Sequence, residues 1–492
     1  MKVQELNVVV IGAGVGGLAA GALLAHKGAQ VTVLEAEEYA GGCAATFSRG
    51  GYRFDAGATM GCGFHPGGPM ASLGEELGIG WPVTPEAVAW HYRHKNLQLD
   101  LSRQRSEIIH HFPRSAPFWD EQARLAKLLW HLSKNGLAWP IQSVGDARHL
   151  VLSALSQLPG TARLLQFATT TTLQWLKRHA LDTDLEFVRF IDSQLLVSVQ
   201  TTSPYANALN AAIALDLPAA GAYRVKGGMG SIAERLAAFI EAHGGAVLYR
   251  KEVNRIDSVR RQVIGVETSD GSALAADMVL ANLTPESLVR LTGEECVAAA
   301  PRALSPYWSA FTLYLGMEAA LFTDLRAHHL QLVGQSGELG EGNSIFVSFS
   351  PTDEPGRAPE GLCAVTISTH ARPEAWFEAR ERGEAAYMEL KNRYTERTLD
   401  LFSEHFPLAR QAIRSITAAT PVSWERYTGR FHGHVGGYPQ CSLFGVRSPV
   451  TRFENLFLVG DSIFPGQSLP GVVTGARRVV ELVRRKAAKI KL

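Results

Sequence analysis

The residues best suited to chemistry in this chain are glycines and acids placed to bind a dinucleotide. Gly12-Ala13-Gly14-Val15-Gly16-Gly17 follows the apolar run Val8 to Ile11. In a G-x-G-x-x-G pattern, Gly12 allows a sharp turn, Gly14 lets backbone approach a pyrophosphate, and Gly17 lets a helix pack closely on a strand. Gly16 adds further room, and unpaired N–H groups at the helix start hold phosphates. Glu35 ends the next apolar run, Gln30 to Leu34, where a carboxylate can accept from a ribose. At the far end, Asn455 to Gly460 is an apolar run closing on Asp461. Asp461 suits a sugar hydroxyl, or else a turn or N-cap.

These side chains need a scaffold, and the surrounding pattern supplies one. Val8–Ile11 reads as a buried strand, Leu18–Lys27 as a helix and Gln30–Leu34 as a second strand. Gly41-Gly42 offers another close backbone approach, and Gly57-Ala58-Thr59 follows a short strand through Tyr52 and Phe54 at a tight turn. A nicotinamide domain would continue with a further βαβ repeat. Here the chain departs and resumes near Lys226-Gly227-Gly228-Met229-Gly230, with a helix through Ala242 and strands up to Asn282. A closing helix over Val472–Lys489 begins beside Gly471, and its positive end would face a bound ring. This interrupted layout selects FAD over NAD. The expected fold class is α/β with an α+β substrate domain. A discontinuous cofactor domain covers residues 1–76, 225–300 and 445–492, and a substrate domain covers 77–224 and 301–444.

At 492 residues the chain exceeds one compact core. A net charge of +1 gives no argument for nucleic acid. Five scattered cysteines (Cys43, Cys62, Cys296, Cys363, Cys441) contain no Cys-x-x-Cys pair, so no metal site or disulfide framework is expected and a reducing, cytoplasmic setting fits. No window is apolar enough to span a bilayer. Residues 112–139 interleave Phe112, Phe118, Trp119, Trp130 and Trp139 with basic residues, a pattern for a helix in a membrane interface or for a lid with a solvated face. The basic residues Arg484, Arg485, Lys486, Lys489 and Lys491 face either water or anionic lipid. Asn282-Leu283-Thr284 reads as a chance glycosylation sequon, and Glu374–Phe402 as one helix.

Together the glycine loop with Glu35 and Gly41-Gly42, the Lys226–Gly230 stretch, and Asn455–Asp461 with Pro465-Gly466-Gln467 and Pro470-Gly471-Val472 resemble the flavin-dependent carotenoid desaturase and isomerase family. The resemblance runs over almost the whole chain. It implies a split Rossmann-type FAD-binding flavoprotein fold, an apolar tunnel that takes a carotenoid polyene from a peripheral membrane surface, and hydride transfer to flavin N5. It also points to the backbone of Val253 as a neighbour of the adenine. Phe190–Leu196 and Ala211–Pro218 look like the terminal 3,4-type desaturases, whereas Gly57–Met60 with Gly63–Gly68 is similar to the isomerase branch. The chain departs from the desaturase pattern at Cys43, where an arginine is frequent. The pyrophosphate is then expected to rest mainly on backbone N–H groups. Isomerisation, amine oxidation and a non-catalytic escort of lipidated partners are the competing functions. Glu425, Arg426, His432 and His434 precede Gly436-Gly437 as either ring neighbours or structural groups, so no catalytic residue is assigned. Oligomeric state is not specified by the sequence.

Overall fold

In the strand Asn7–Ile11, Val8 to Ile11 are buried on both faces, as the interior of a covered sheet requires. The strand pairs in parallel with Gln30–Leu34 on one side and Met278–Ala281 on the other. The protein is described by a computed structural model over residues 3–134, 138–155, 160–297 and 304–489. Ala246–Leu248 and Leu456–Leu458 complete a five-stranded parallel sheet. Continuous runs such as Val8-Val9-Val10-Ile11 and Met278-Val279-Leu280-Ala281 are what a sheet covered on both faces demands. The sheet thus draws strands from three distant stretches of chain.

The opening helix spans Val15–His26, three residues earlier than the apolar pattern suggests, because Gly16 and Gly17 lie inside its first turn. A Cβ on Gly17 would sit 2.6 Å from the Gly12 carbonyl oxygen, so glycine sets the helix–strand spacing. The helices Gly230–Ala242 and Leu469–Lys489 pack against the opening helix. The Val253–Val259, Gln262–Thr268 and Ala273–Ala275 strands form an antiparallel sheet whose last turn holds Asp270-Gly271.

The second layer is a seven-stranded sheet. Its order is Ile413–Ala419, Ser309–Glu318, Leu362–Ala371, Ser344–Phe349, His329–Val333, Val88–His94 and Leu97–Ser102. One face carries the helices Glu374–Glu381 and Glu384–His405. The single helix expected over Glu374–Phe402 is therefore two, broken at Gly383, which adopts φ 111°.

The interfacial reading of residues 112–139 is corrected for its central aromatics. Phe112, Phe118 and Trp119 are buried in a core with Trp175, Phe187 and Phe190. Trp119 donates to Ser115 Oγ at 3.1 Å, and Trp130 donates to Asp216 Oδ2 at 3.0 Å. The apolar side of Ala116–Lys134 packs on protein. Residues 135–137 lie outside the described residues. The basic end of the last helix also finds partners within the chain: Arg484 and Arg485 pair with Glu481, Arg485 also with Asp146, and Lys486 with Glu454. Asp146 has no exposed side-chain surface and receives both Arg478 (2.6 Å) and Arg485 (2.6 Å), which fastens the Val144–Leu155 helix to the last helix. Lys491 lies outside the described residues. Among the described residues, no helix is long and apolar enough to cross a membrane.

Candidate active-site cavity

One cavity of about 670 Å³ lies between the parallel sheet and the seven-stranded sheet. Gly12, Gly14, Gly16, Glu35, Gly41, Gly42, Gly57, Ala58 and Thr59 line it from the N-terminal stretch. Val253, Gly460, Asp461, Gly471 and Val472 line it from the two later stretches. Gly17 is the one expected residue that does not; it stands behind the loop at the helix–strand contact.

The glycine loop and the acid are tied together. Ala13 donates its backbone N–H to Glu35 Oε2 at 2.7 Å, and Glu37 donates to Oε1 at 2.9 Å. Burial raises the Glu35 pKa from its ordinary value, and the two N–H bonds oppose that rise. The opening helix begins at Gly14 without a side-chain cap, as an anion-binding helix start requires. Gly41 and Gly42 have φ 120° and 56°, a backbone open only to glycine here, since a Cβ on Gly41 would meet Ala45 N at 2.8 Å.

Asn282 was missed, having been read as part of a sequon. It ends the Met278–Ala281 strand beside Gly12, and its N–H donates to the Ile11 carbonyl at 2.9 Å. A Cβ on Gly14 would fall 2.5 Å from Asn282 Nδ2, and one on Gly460 2.3 Å from Asn282 Oδ1. Its side chain therefore fills the gap between the first and last glycine turns. The returning strand was legible, but the level at which it ends was not.

Arg430 was also missed. It donates to Asp461 Oδ1 at 2.9 Å and lines the cavity. Burial disfavours its charge, but the Asp461 carboxylate outweighs burial and holds it protonated. Cys43 lies close by, and burial pushes its thiol up to about 11 while Arg430 pulls the other way. A cation thus reaches the neighbourhood of Cys43 from a remote part of the chain. Of the four residues weighed near Gly436-Gly437, only Arg426 lines the cavity. Glu425 accepts from the His432 N–H at 3.1 Å, and His432 stacks on Phe431. His434 stacks on Tyr307, and burial lowers it to about 4.

The rest of the wall is apolar or neutral. Val197, Ile213, Ala214 and Leu217 line it from the helical insertion, and Trp90 and Phe346 from the seven-stranded sheet. Trp90 donates to Gln194 at 3.2 Å, Gln194 to Gln331 at 2.6 Å, and Gln331 to the Ser193 carbonyl at 2.9 Å, so these buried polar groups satisfy one another. Among the described lining residues on the seven-stranded sheet, His370 alone can ionise, and burial lowers it to about 4. Gln200 Oε1 and Trp424 Nε1 are buried without a partner, and both residues line the cavity. Among the described residues, no group of three or more His, Cys, Asp or Glu is placed to hold a metal ion.

The sequence pattern of the family described as flavin containing amine oxidoreductase matches residues 15–484. Prolycopene isomerase 2, chloroplastic, of an Oncidium hybrid cultivar is 27% identical over 514 residues, covering 99% of this chain and 85% of its own. Phytoene dehydrogenase of Streptomyces griseus is 26% identical over 525 residues, covering 97% and 95%. Among solved structures, an oxidoreductase from Methanosarcina mazei superposes with a TM-score of 0.64 at 20% identity, covering 97% of this chain and 100% of its own.

Proposed function

The chain belongs to the flavin-containing amine oxidoreductase family, and from that premise we propose that it removes two hydrogens from a carotenoid polyene. It is an FAD-dependent oxidoreductase, and the cavity suits that cofactor. A cradle of side-chain-free glycines in the cavity wall, a helix start without a side-chain cap, and the unpartnered Gln200 Oε1 and Trp424 Nε1 all fit a large polar dinucleotide. In this reading, Gly12, Gly14, Gly16, Gly41 and Gly42 hold the pyrophosphate, and Glu35 and Val253 flank the adenosine. Gly57, Ala58, Thr59, Gly460, Asp461, Gly471 and Val472 surround the flavin end. When bound, FAD supplies the acceptor for a hydride.

The observation that carries the substrate class is the single cavity joining that cradle to the apolar wall of Trp90, Val197, Ile213, Leu217 and Phe346. Burying a polyene along such a wall gains about 25 cal/mol per Å² of apolar surface. The wall orients the chain by shape and excludes water, and the Trp90–Gln194–Gln331 bonds keep its polar atoms occupied. Arg430 fixes the Asp461 carboxylate beside the flavin end. A cationic amine would find no carboxylate among the described lining residues of the seven-stranded sheet. Arrival of the polyene from a membrane surface, with the protein held peripherally, belongs to the same reading.

The test is incubation of the FAD-loaded protein with candidate carotenoids in lipid suspension, followed by mass spectrometry. Desaturation gives a product lighter by two hydrogens. Cis–trans isomerisation, favoured by the likeness to a prolycopene isomerase, gives a product of unchanged mass and altered retention. Peroxide release with simple amines and inertness toward carotenoids would replace both readings with amine oxidation.

A further inference from the structure

Removing two hydrogens from a carbon–carbon bond releases one as a hydride and the other as a proton. The hydride has the cofactor as its acceptor; Trp90, Val197, Ile213, Leu217 and Phe346 offer no base for the proton, and His370, the ionisable group on the seven-stranded-sheet wall among the described residues, is hydrogen-bonded to the Leu196 backbone. A hydrogen-bonded line of three side chains leads out of the cavity at that level. Thr59, which lines the cavity, accepts from Ser348 Oγ at 2.7 Å. Ser348 Oγ lies 2.9 Å from His329 Nδ1. Neither Ser348 nor His329 lines the active-site cavity; both line a second, smaller one of about 30 Å³, which Thr59 lines as well. That volume accommodates about one or two waters.

The line is built into the sheet. His329 and Ser348 are direct cross-strand partners of the His329–Val333 and Ser344–Phe349 strands, so their separation is fixed by register. On the outer side, the small cavity meets the half-buried His328, whose ring lies 3.4 Å from Arg224 Nη1. The surrounding charges are mostly paired: Arg357 with Asp55 at 2.9 Å, and Arg224 with Glu86 and Asp353. Glu354 adds a further carboxylate near His328. Arg357 Nε and Nη1 are buried without partners and belong to the same small cavity, a polar lining that suits water. Burial, with His328 beside it, lowers His329 to about 3. Its ring is therefore neutral at rest and has a lone pair ready for a proton in transit.

We propose that Thr59, Ser348 and His329 form the proton exit of the active-site cavity, delivering the substrate proton to the small polar cavity and the surface near His328. The inference rests on the dehydrogenation reading above. In the step, the substrate C–H bond breaks and its proton goes to the Thr59 oxygen. The two hydroxyls first rotate, so that Thr59 donates to Ser348 and Ser348 to His329 Nδ1. The Thr59 hydroxyl proton then passes to Ser348 and the Ser348 proton to His329 Nδ1, while the other ring nitrogen gives its proton to solvent. The electron pair of that C–H bond becomes the second bond of the new C=C as the hydride leaves the adjacent carbon for FAD. Atoms and charge balance without a further reactant. Thr59 is the residue that meets substrate, and Ser348 and His329 act through it.

The experiment compares wild type, Ser348→Ala, Thr59→Val and Thr59→Ser, all loaded with FAD and turning over a carotenoid in vesicles. Ser348→Ala and Thr59→Val should lower kcat about 10- to 100-fold, within the range of lost acid–base assistance, with KM near the wild-type value. Thr59→Ser should retain most of the wild-type rate. Separately, in 15N-histidine-labelled protein without cofactor, Ser348→Ala should move the His329 Nδ1 resonance. Unchanged kcat in an active, folded Ser348→Ala variant, or an unmoved resonance, overturns the proton exit alone. Wild-type protein that leaves the carotenoid mass unaltered overturns the dehydrogenation reading and, with it, the task assigned to the relay.

Discussion

The backbone N–H of Ala13 donates to Glu35 Oε2 at 2.7 Å, so the glycine loop and the acid of the second strand form one unit. Glu35→Gln should weaken FAD binding about 10- to 100-fold, the effect of leaving a buried donor badly partnered and weakening a ribose contact. Titrating the unloaded protein with FAD and following flavin fluorescence checks this. Because burial raises the Glu35 pKa from 4.5, wild-type affinity should begin to fall on acidification at a higher pH than an ordinary glutamate would impose.

Gly16 faces the last turn of the sheet rather than the ligand alone. A Cβ there would lie 2.7 Å from Gly460 Cα, which is backbone and cannot swing aside. Gly16→Ala should therefore push the Gly460-Asp461 turn away, lower Tm by several degrees for roughly 1–3 kcal/mol of overpacking, and yield protein purified without its flavin band. Differential scanning calorimetry and the visible spectrum read the two effects.

Arg430 and Asp461 have side chains 12% and 16% exposed. Arg430→Met leaves the Asp461 carboxylate buried without its cation, at a cost of about 3–5 kcal/mol. The double change Arg430→Met/Asp461→Leu should recover part of that stability while leaving FAD binding impaired. Urea unfolding, paired with FAD titration, separates the two consequences.

Asp146 supplies an acid-sensitive clasp. Burial alone would raise its pKa, but bonds from Arg478, the Gln142 N–H and Arg485 outweigh burial and hold it well below the ordinary value of 3.8. A depressed folded-state pKa means that the stabilisation is fully present above 3.8 and is lost as pH falls through the lower folded value. Asp146→Asn should cost about 3 kcal/mol at neutral pH and remove that part of the acid dependence, as urea midpoints followed from neutral pH to well below the ordinary carboxylate range would show.

The cofactor half of the cavity was legible because its signals are local. Glycine at 12, 14 and 17 reports backbone geometry directly, and a strand ending in an acid needs only a few residues to be recognised. Asn282 and Arg430 were not legible, because their roles arise where chain ends meet across a sheet. Nothing within Met278–Asn282 says that its last residue will sit against Gly14 and Gly460. The aromatics Phe112, Phe118 and Trp119 show the opposite difficulty. Their spacing reveals an apolar helix face but not whether protein or lipid covers it, and here the cover is Trp175, Phe187 and Phe190.

The parallel sheet also orders events during synthesis. Its central strand Asn7–Ile11 and the neighbouring Gln30–Leu34 are made well before Met278–Ala281, and Leu456–Leu458 is made long after that. Gly460 and Asp461, which close the flavin end, follow that final strand. The central strands must therefore wait with one edge unpaired while the entire insertion is translated. A nascent chain truncated before residue 456 presents an open trough rather than a cleft, so the cofactor cradle is complete only once Gly460 and Asp461 have been added.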